Sequence, residues 1–449
     1  MYKILLIFLS LAKLTCSDNP TFKIFKEIDI STQDQPFLPY RFQFNSDGDL
    51  IMSFPRVYND NLEPKDDVNT RLMLFKTKEN KLEKYDIGTD IYSVMGFTYD
   101  KNDKLYLLDQ GIILKNGMIA ENTFPRLISQ KKDNVEIYNF TGINLRYSLL
   151  TDVVVDHEEK YAYIIDGGNL ERDESSPGII VLNFGSKKSY KILNNHKSFE
   201  KNEKKKGINS NFNDALSNKD IYDYFKNGTG VNSIQISCDD ETIYYSSIKS
   251  KILYSVSTKD ISDAIDKYEN SKNVKDLNEI DVKEINLEFI SYYTLISSKN
   301  NIFAINGEAN AVELSLTIDG DLTNYRKGDN QKIDYQKPIG IDYSPVSIDV
   351  YNGKLYLLFT DKVEGENIKL KIYEAELNKD EFNNIVGCTI FIFKLYGGII
   401  FLFCFFFIIL CIAIMIIIAN SGQKLEISNL KKEMEKEAEI NELNRQLNE

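Results

Sequence analysis

Four residues in this chain are of types that could meet around a small pocket and do recognition chemistry: Asp152, Asn232, Tyr293 and Arg41. Together they would supply a carboxylate, an amide, a phenol and a guanidinium, and a carboxylate beside an aromatic ring is what a cationic amine needs. Asp152 also suits a plainer role, because Asp side chains cap turns at strand ends. Asp109 and Asp166 end equivalent strands and fit structural roles. Such oxygens could serve calcium, but the sequence gathers them into no acidic cluster, so no metal is assigned. Two histidines and five cysteines in 449 residues also argue against a zinc centre. His157 follows Asp156 in a hairpin turn and His196 lies in an insertion; neither has a neighbouring nucleophile, and no Gly-rich phosphate loop occurs. No catalytic residue and no cofactor is assigned.

These four residues are far apart in sequence, so elements distant along the chain must converge, and an internal repeat provides the means. A polar turn followed by an apolar and aromatic strand recurs six times, as in Asn102-Asp-Lys-Leu105-Tyr-Leu-Leu-Asp109 and Asn352-Gly-Lys-Leu355-Tyr-Leu-Leu-Phe359. Its aligned apolar positions Leu50, Leu105, Ala162, Ile243, Ile302 and Leu355 are 55, 57, 81, 59 and 53 residues apart. Most copies follow another short strand pattern, such as Asp152-Val-Val-Val-Asp156, so each unit opens with a β-hairpin. About 55 residues are enough for four strands, the size of a propeller blade. The spacing therefore predicts an all-β, six-bladed β-propeller over roughly residues 22–378. In a propeller the inner strands meet around one channel. Ten or eleven positions before the anchors stand Tyr40, Met95, Asp152, Asn232 or Ser233, and Pro345, with Arg41 and Tyr293 nearby.

The long gap marks an insertion at about 185–230 that includes the charged run Lys197–Lys206. A second charged connection, Ser257–Asn286, has a helical pattern around Ile261–Tyr268. Either could bind a protein partner, although a charge run reads first as a solvated loop.

The ends of the chain give its address. Residues 1–17 have a basic start, an apolar run from Ile4 to Ala12 and small residues at Thr15 and Ser17, the pattern of a cleaved secretory signal. Residues 395–419 contain no charged side chain, and a 25-residue helix is long enough to span a bilayer. Lys424, Lys431, Lys432 and Lys436 follow the span, which predicts a single-pass type I protein with residues 18–385 lumenal or extracellular. A short stalk, 386–394, precedes the span, and a tail, 420–449, follows it. The tail keeps a 3–4 apolar rhythm through Ile427, Leu430 and Met434 and then Ile440, Leu443 and Leu447, which fits a short helix or a coiled-coil dimer. Cys388 in the stalk could link such a dimer, or stay a free thiol. Asn139-Phe-Thr141 and Asn227-Gly-Thr229 are sequons for N-glycosylation. The net charge of −13 resides wholly between leader and tail, so the chain has no general attraction for nucleic acid.

Several ordered runs resemble the major royal jelly protein and yellow family. They include Ser53-Phe-Pro-Arg56, Leu105-Tyr-Leu-Leu-Asp-Gln-Gly111, Phe124-Pro-Arg-Leu127 and Ala162-Tyr-Ile-Ile-Asp-Gly-Gly168. Gly178-Ile-Ile-Val181, Gly230-Val-Asn-Ser233 and Leu253-Tyr-Ser-Val-Ser-Thr258 continue the series. The resemblance implies a six-bladed propeller and two activities, binding of small amines in the channel and conversion of dopachrome. The chain departs from the family in lacking paired cysteines, in carrying Asn232 where an aromatic is usual, and in its membrane anchor. The expectation is a propeller that binds a small molecule, with an adhesion-like protein-binding ectodomain as the alternative and a dopachrome-converting enzyme as the third.

Overall fold

The computed structural model describes residues 23–29, 39–55, 72–100, 102–110, 114–115, 118–119, 124–145, 148–169, 177–199, 231–237, 239–247, 250–298, 301–306, 311–317, 332–334, 347–362, 368–376 and 429–437. The expected leader, Asn227, Cys388, the span 395–419 and most of the insertion and tail lie outside these residues. Among the described residues no helix is long and apolar enough to cross a membrane. Contacts divide the chain into two units, Met1–Ile385 and Val386–Glu449.

The first unit is an all-β propeller. Strand β1 (Lys23–Asp29) comes first. A first sheet follows, of β2 (Arg41–Phe44), β3 (Leu50–Ser53), β4 (Leu72–Lys76) and β5 (Lys81–Lys84). The second sheet holds β6 (Val94–Tyr99), β7 (Leu105–Asp109), β10 (Arg126–Lys131) and β11 (Asn134–Asn139), and between β7 and β10 the chain forms a separate small hairpin of β8 (Leu114–Lys115) and β9 (Met118–Ile119). The third holds β12 (Ser148–Val155), β13 (Tyr161–Asn169), β14 (Gly178–Asn183) and β15 (Ser189–Ile192). The fourth has seven strands: β16 (Val231–Ile236), β17 (Thr242–Ser247), β18 (Ser250–Ser257), β19 (Lys283–Ser298), β20 (Asn301–Asn306), β21 (Ala311–Thr317) and β22 (Lys332–Asp334). The last holds β23 (Ser347–Tyr351), β24 (Lys354–Lys362) and β25 (Ile368–Glu376), and β1 returns to pair with β25.

The six sequence units thus fall on five large sheets among the described residues, not six. The reason is β19, whose first part pairs with β18 through Lys283–Asn286 and whose later part pairs with β20 through Ser291–Ser298. One continuous strand fuses the two units anchored at Ile243 and Ile302. The inner strands are neighbours in a closed cycle: β2 beside β6, β6 beside β12, β12 beside β16, β16 beside β19, β19 beside β23, and β23 beside β2.

The recurring turn has a local cause. Asn45 Oδ1 accepts from the Asp49 N–H at 2.8 Å, and Asp100 Oδ1 accepts from Asn102 and Lys104 N–H, both at 2.8 Å. Asp156 binds the Lys160 and Tyr161 N–H groups at 2.7 and 3.0 Å, and Ser237 Oγ binds Thr242 N–H at 2.9 Å. Each side chain takes up donors that the tight turn would leave unpaired. The strand after the turn is buried on both faces, as in β7 and β3, because sheets cover it on either side. One apolar cluster joins Tyr106 and Leu108 to Ala162 and Ile180, packing the second sheet on the third.

One expectation needs correcting at the insertion. Residues 189–192 are not inserted; they form β15, held to β14 from Ser189↔Leu182 to Ile192↔Ile179. The charged connection after β18 forms the helix that its pattern around Ile261–Tyr268 predicts, α1 (Thr258–Ser271), capped by Ser257 and seated by Ile261, Ala264 and Ile265. In the second unit, residues 429–437 form a helix that exposes Leu430 and Met434, as the tail's apolar rhythm predicts.

Candidate functional site

Arg41 and Asp152, two of the four expected site residues, do meet. Arg41 opens β2 in the first sheet and Asp152 lies in β12 in the third; the guanidinium Nη1 forms a buried ion pair with Asp152 Oδ1. Both side chains are almost wholly removed from solvent, with residue exposures of 7% and 1%. Asp152 also accepts from the Val153 N–H at 3.0 Å and, across to the next sheet, from the Ile234 N–H at 3.2 Å. One carboxylate therefore ties together the inner strands of three sheets.

The strand between them, β6, leaves room for this. A Cβ built on Gly96 would lie 2.7 Å from Asp152 Cα, 2.8 Å from Asp152 Oδ1 and 2.9 Å from the Thr151 carbonyl. Real Cβ atoms do not approach so closely, so the close passage of β12 over β6 requires glycine. Gln110 fixes the same junction higher up, its amide donating to the Ser148 carbonyl at 2.6 Å and accepting from Leu150 N–H at 3.1 Å.

A second carboxylate, Asp349 on β23, was not singled out from sequence. Its Oδ2 accepts from Phe44 N–H at 2.8 Å, while Ser347 Oγ accepts from Phe42 N–H at 3.3 Å, so β23 is buttressed against β2. Burial pushes the Asp349 carboxyl up to about 7, against the downward pull of the Phe44 and Val350 N–H groups and of the Arg41 charge. Burial lowers the Arg41 guanidinium, while Tyr40 and Asp349 oppose that shift. Burial likewise raises the Tyr40 phenol. Among the described residues Asp349 has no ion-pair partner within 4.0 Å. One guanidinium is thus paired directly with Asp152 and is influenced by the charge of Asp349 as well. The signal for Asp349 was present in sequence, since it precedes the last anchor within the strand pattern Val346-Ser-Ile-Asp349.

The other two expected residues lie on inner strands. Asn232 is in β16 at a bulge, between Val231↔Ser247 and Ser233↔Ser246. Tyr293 is in β19, opposite Ile305 and flanked by register shifts. Their side chains lie outside the described residues. Asp109 and Asp166 are structural, as expected. Asp109 binds the Tyr92 and Ser93 N–H groups and Arg126, and Asp166 binds Ser148, Lys191 and the Gly168 N–H.

Both histidines are away from this cluster. His157 Nδ1 is 2.5 Å from Asp240 Oδ1 and its N–H donates to Oδ2 at 2.8 Å, clasping the β12–β13 turn to the β16–β17 turn. His196 Nδ1 is 2.9 Å from Ser198 Oγ, but Ser198 is buried and also bonds the Tyr245 hydroxyl at 2.9 Å.

A family model described as major royal jelly protein matches residues 92–316, just over half of the chain. No match is found among curated proteins. Among solved structures, the chain is similar to a streptogramin B lyase, with 11% identity, TM-score 0.40, and coverage of 80% of this chain and 98% of that one. It is similar to an inactive virginiamycin B lyase from Staphylococcus aureus, with 11% identity, TM-score 0.40, and coverage of 80% and 100%. It also resembles a β-propeller domain described as Myceliophteria_thermophila Cps50 (Swd1), with 9% identity, TM-score 0.40, and coverage of 78% and 99%.

Proposed function

The chain belongs to the major royal jelly protein family, and from that premise we propose that it is a membrane-anchored propeller that binds a small cationic molecule at the channel end of its inner strands. The observation that carries this reading is the uneven charge around Arg41: one buried guanidinium, paired with Asp152, lies beside a second carboxylate, Asp349, that has no ion-pair partner among the described residues. A small amine placed there would supply the missing positive charge in a low-dielectric setting, where such a charge counts most. Asp349 rather than Asp152 is the cation's partner in this reading, because Asp152 is already engaged by Arg41 and two backbone N–H groups.

In this reading the seven-stranded sheet is two blades sharing β19, which brings the propeller to six. The leader at 1–17 directs the domain into the secretory route, residues 395–419 anchor it, and Asn139 and Asn227 carry glycans. The tail at 420–449 and Cys388 support a weak parallel homodimer. A thermal-shift screen of the full-length protein in detergent against small aromatic and aliphatic amines tests the ligand reading. Stabilisation by amines in the wild type and not in Asp349→Asn supports it; a flat response to every amine removes it.

A protein-binding ectodomain is the second reading, favoured by one feature of α1. Its outer face carries Lys259, Asp260, Asp263, Asp266, Lys267 and Asn270, all solvent-exposed on an ordered scaffold. The dopachrome-converting reading draws no support from the cluster, whose inner-strand residues include neither histidine.

A further inference from the structure

The outer edges of a propeller's sheets are rows of unpaired backbone groups, and proteins protect such edges with charge, cover or bulges. Among the described residues, four of the five outer edges carry a recognisable device. Strand β5 is Lys-Leu-Glu-Lys, with Lys81 and Lys84 exposed. Strand β1 carries Lys23, Lys26 and Glu27 and a register shift at Ile24/Lys26, and β22 is Lys-Ile-Asp. Strand β15 is covered: Leu193 N–H donates to the Leu277 carbonyl at 3.2 Å, and the Tyr190 hydroxyl bonds Glu269 of α1 at 2.8 Å.

Strand β11 differs. It reads Asn-Val-Glu-Ile-Tyr-Asn and pairs in unbroken register with β10 alone, from Asn139↔Arg126 to Asn134↔Lys131. Its one charged residue, Glu136, lies on the Tyr138 face and is engaged by Tyr138 and Lys104, so the Ile137 face carries no charge. Tyr138 turns toward the third sheet, its ring 5.0 Å from that of Phe184. Val135, Ile137 and Asn139 alternate onto the opposite face. Val135 packs into the core there, but Ile137 is 43% exposed. Asn139 ends this face, is exposed, and opens the sequon Asn139-Phe-Thr141.

We propose that Asn139 carries an N-linked oligosaccharide that lies over Ile137 and shields the β11 edge from pairing with another chain. The inference rests on the secretory route proposed above. A hydrated glycan two residues from an exposed isoleucine does what lysine does on β5 and β1: it makes approach of a second strand costly. The Thr141 hydroxyl, which the sequon needs before folding, afterwards bonds the Lys187 carbonyl at 3.0 Å and holds the end of the strand against the third sheet.

The test uses full-length protein made in a secretory host and kept reduced in detergent. Peptide mapping after enzymatic deglycosylation reads occupancy at Asn139, and amino-terminal sequencing reads leader removal. The proposal expects a cleaved leader and an occupied Asn139. It also expects a self-associated species in Asn139→Gln that wild type lacks and that Ile137→Lys abolishes in the same background. A bare Asn139 on protein with its leader removed overturns the site and leaves the route intact; a bare Asn139 on uncleaved protein overturns both. An occupied Asn139 whose removal leaves association unchanged overturns the shielding role. Asn139→Gln keeps Thr141 and its bond, so a folding defect would show separately as a lowered melting temperature.

Discussion

Gly96 and Asp152 approach so closely that a Cβ on Gly96 would lie 2.8 Å from Asp152 Oδ1 and 2.7 Å from its Cα. The obstacle is backbone as well as side chain, so it cannot be relieved by a rotamer change. Gly96→Ala is expected to cost about 1 to 3 kcal/mol by overpacking and to loosen the Arg41–Asp152 pair. Chemical denaturation checks the first, and loss of amine-induced stabilisation checks the second.

Removing one partner of the buried pair leaves an uncompensated charge, whereas removing both does not. Arg41→Met is therefore expected to destabilise the protein by about 3 to 5 kcal/mol, and the double change Arg41→Met with Asp152→Leu to recover much of that loss. A double-mutant cycle by denaturant titration measures the coupling. Additive effects would mean that Asp152 is held mainly by the Val153 and Ile234 N–H groups.

Asp349 gives stability a pH dependence whose sign is fixed by the direction of its shift. Its carboxyl titrates at about 7 in the fold against an ordinary value of 3.8, so between these values the native state holds a proton that the unfolded chain has lost. This contribution is fully present below about 4 and declines as pH rises toward 7. Asp349→Asn should flatten that part of the profile. Glu159 acts in the opposite sense: burial raises its carboxyl, but the bonds from Lys104 and Tyr106 outweigh this and hold it down to about 2. Its stabilisation is lost as pH falls from about 4.5 toward 2. Thermal melts of the wild type, Asp349→Asn and Glu159→Gln from pH 3 to 8 separate the two.

Much of the fold was legible because its cause is local. The turn residues Asn45, Asp100, Asp156 and Ser237 bind their own following N–H groups, so their spacing marks each hairpin. The α1 helix was legible from the spacing of Ile261, Ala264, Ile265 and Tyr268. What local pattern could not give was pairing at a distance. The return of β1 to β25 joins Lys23 to Glu374, and the unbroken course of β19 fuses two units into one sheet. The site followed the same division. Asp152 was found because it sits ten positions before its anchor, and Arg41 because it follows Tyr40, which holds the equivalent place before Leu50. That they neutralise each other depends on Gly96 letting β12 lie close to β6, and the importance of Asp349 depends on its burial against β2.

The proposed homodimer depends on the stalk and tail. Non-reducing gels of the full-length protein, Cys388→Ser and a chain ending at Lys424 are expected to show a covalent dimer in the first, none in the second and less in the third. Monomer in every lane, with no crosslinking in intact membranes, would leave 429–437 as a solvated helix.

The central claim, that a cation binds at Asp349 near the Arg41–Asp152 pair, is tested most directly by calorimetric titration of the full-length protein with a small aromatic amine near pH 7. Comparing buffers of different ionisation enthalpy would read out the linked proton. A cation favours the ionised Asp349, whose carboxyl titrates at about 7, so binding should release a fraction of a proton to the buffer. Binding should tighten as pH rises from 6 to 8, and both effects should vanish in Asp349→Asn. Absence of binding in the wild type, or binding with no proton release and an affinity unchanged in Asp349→Asn, would contradict the account.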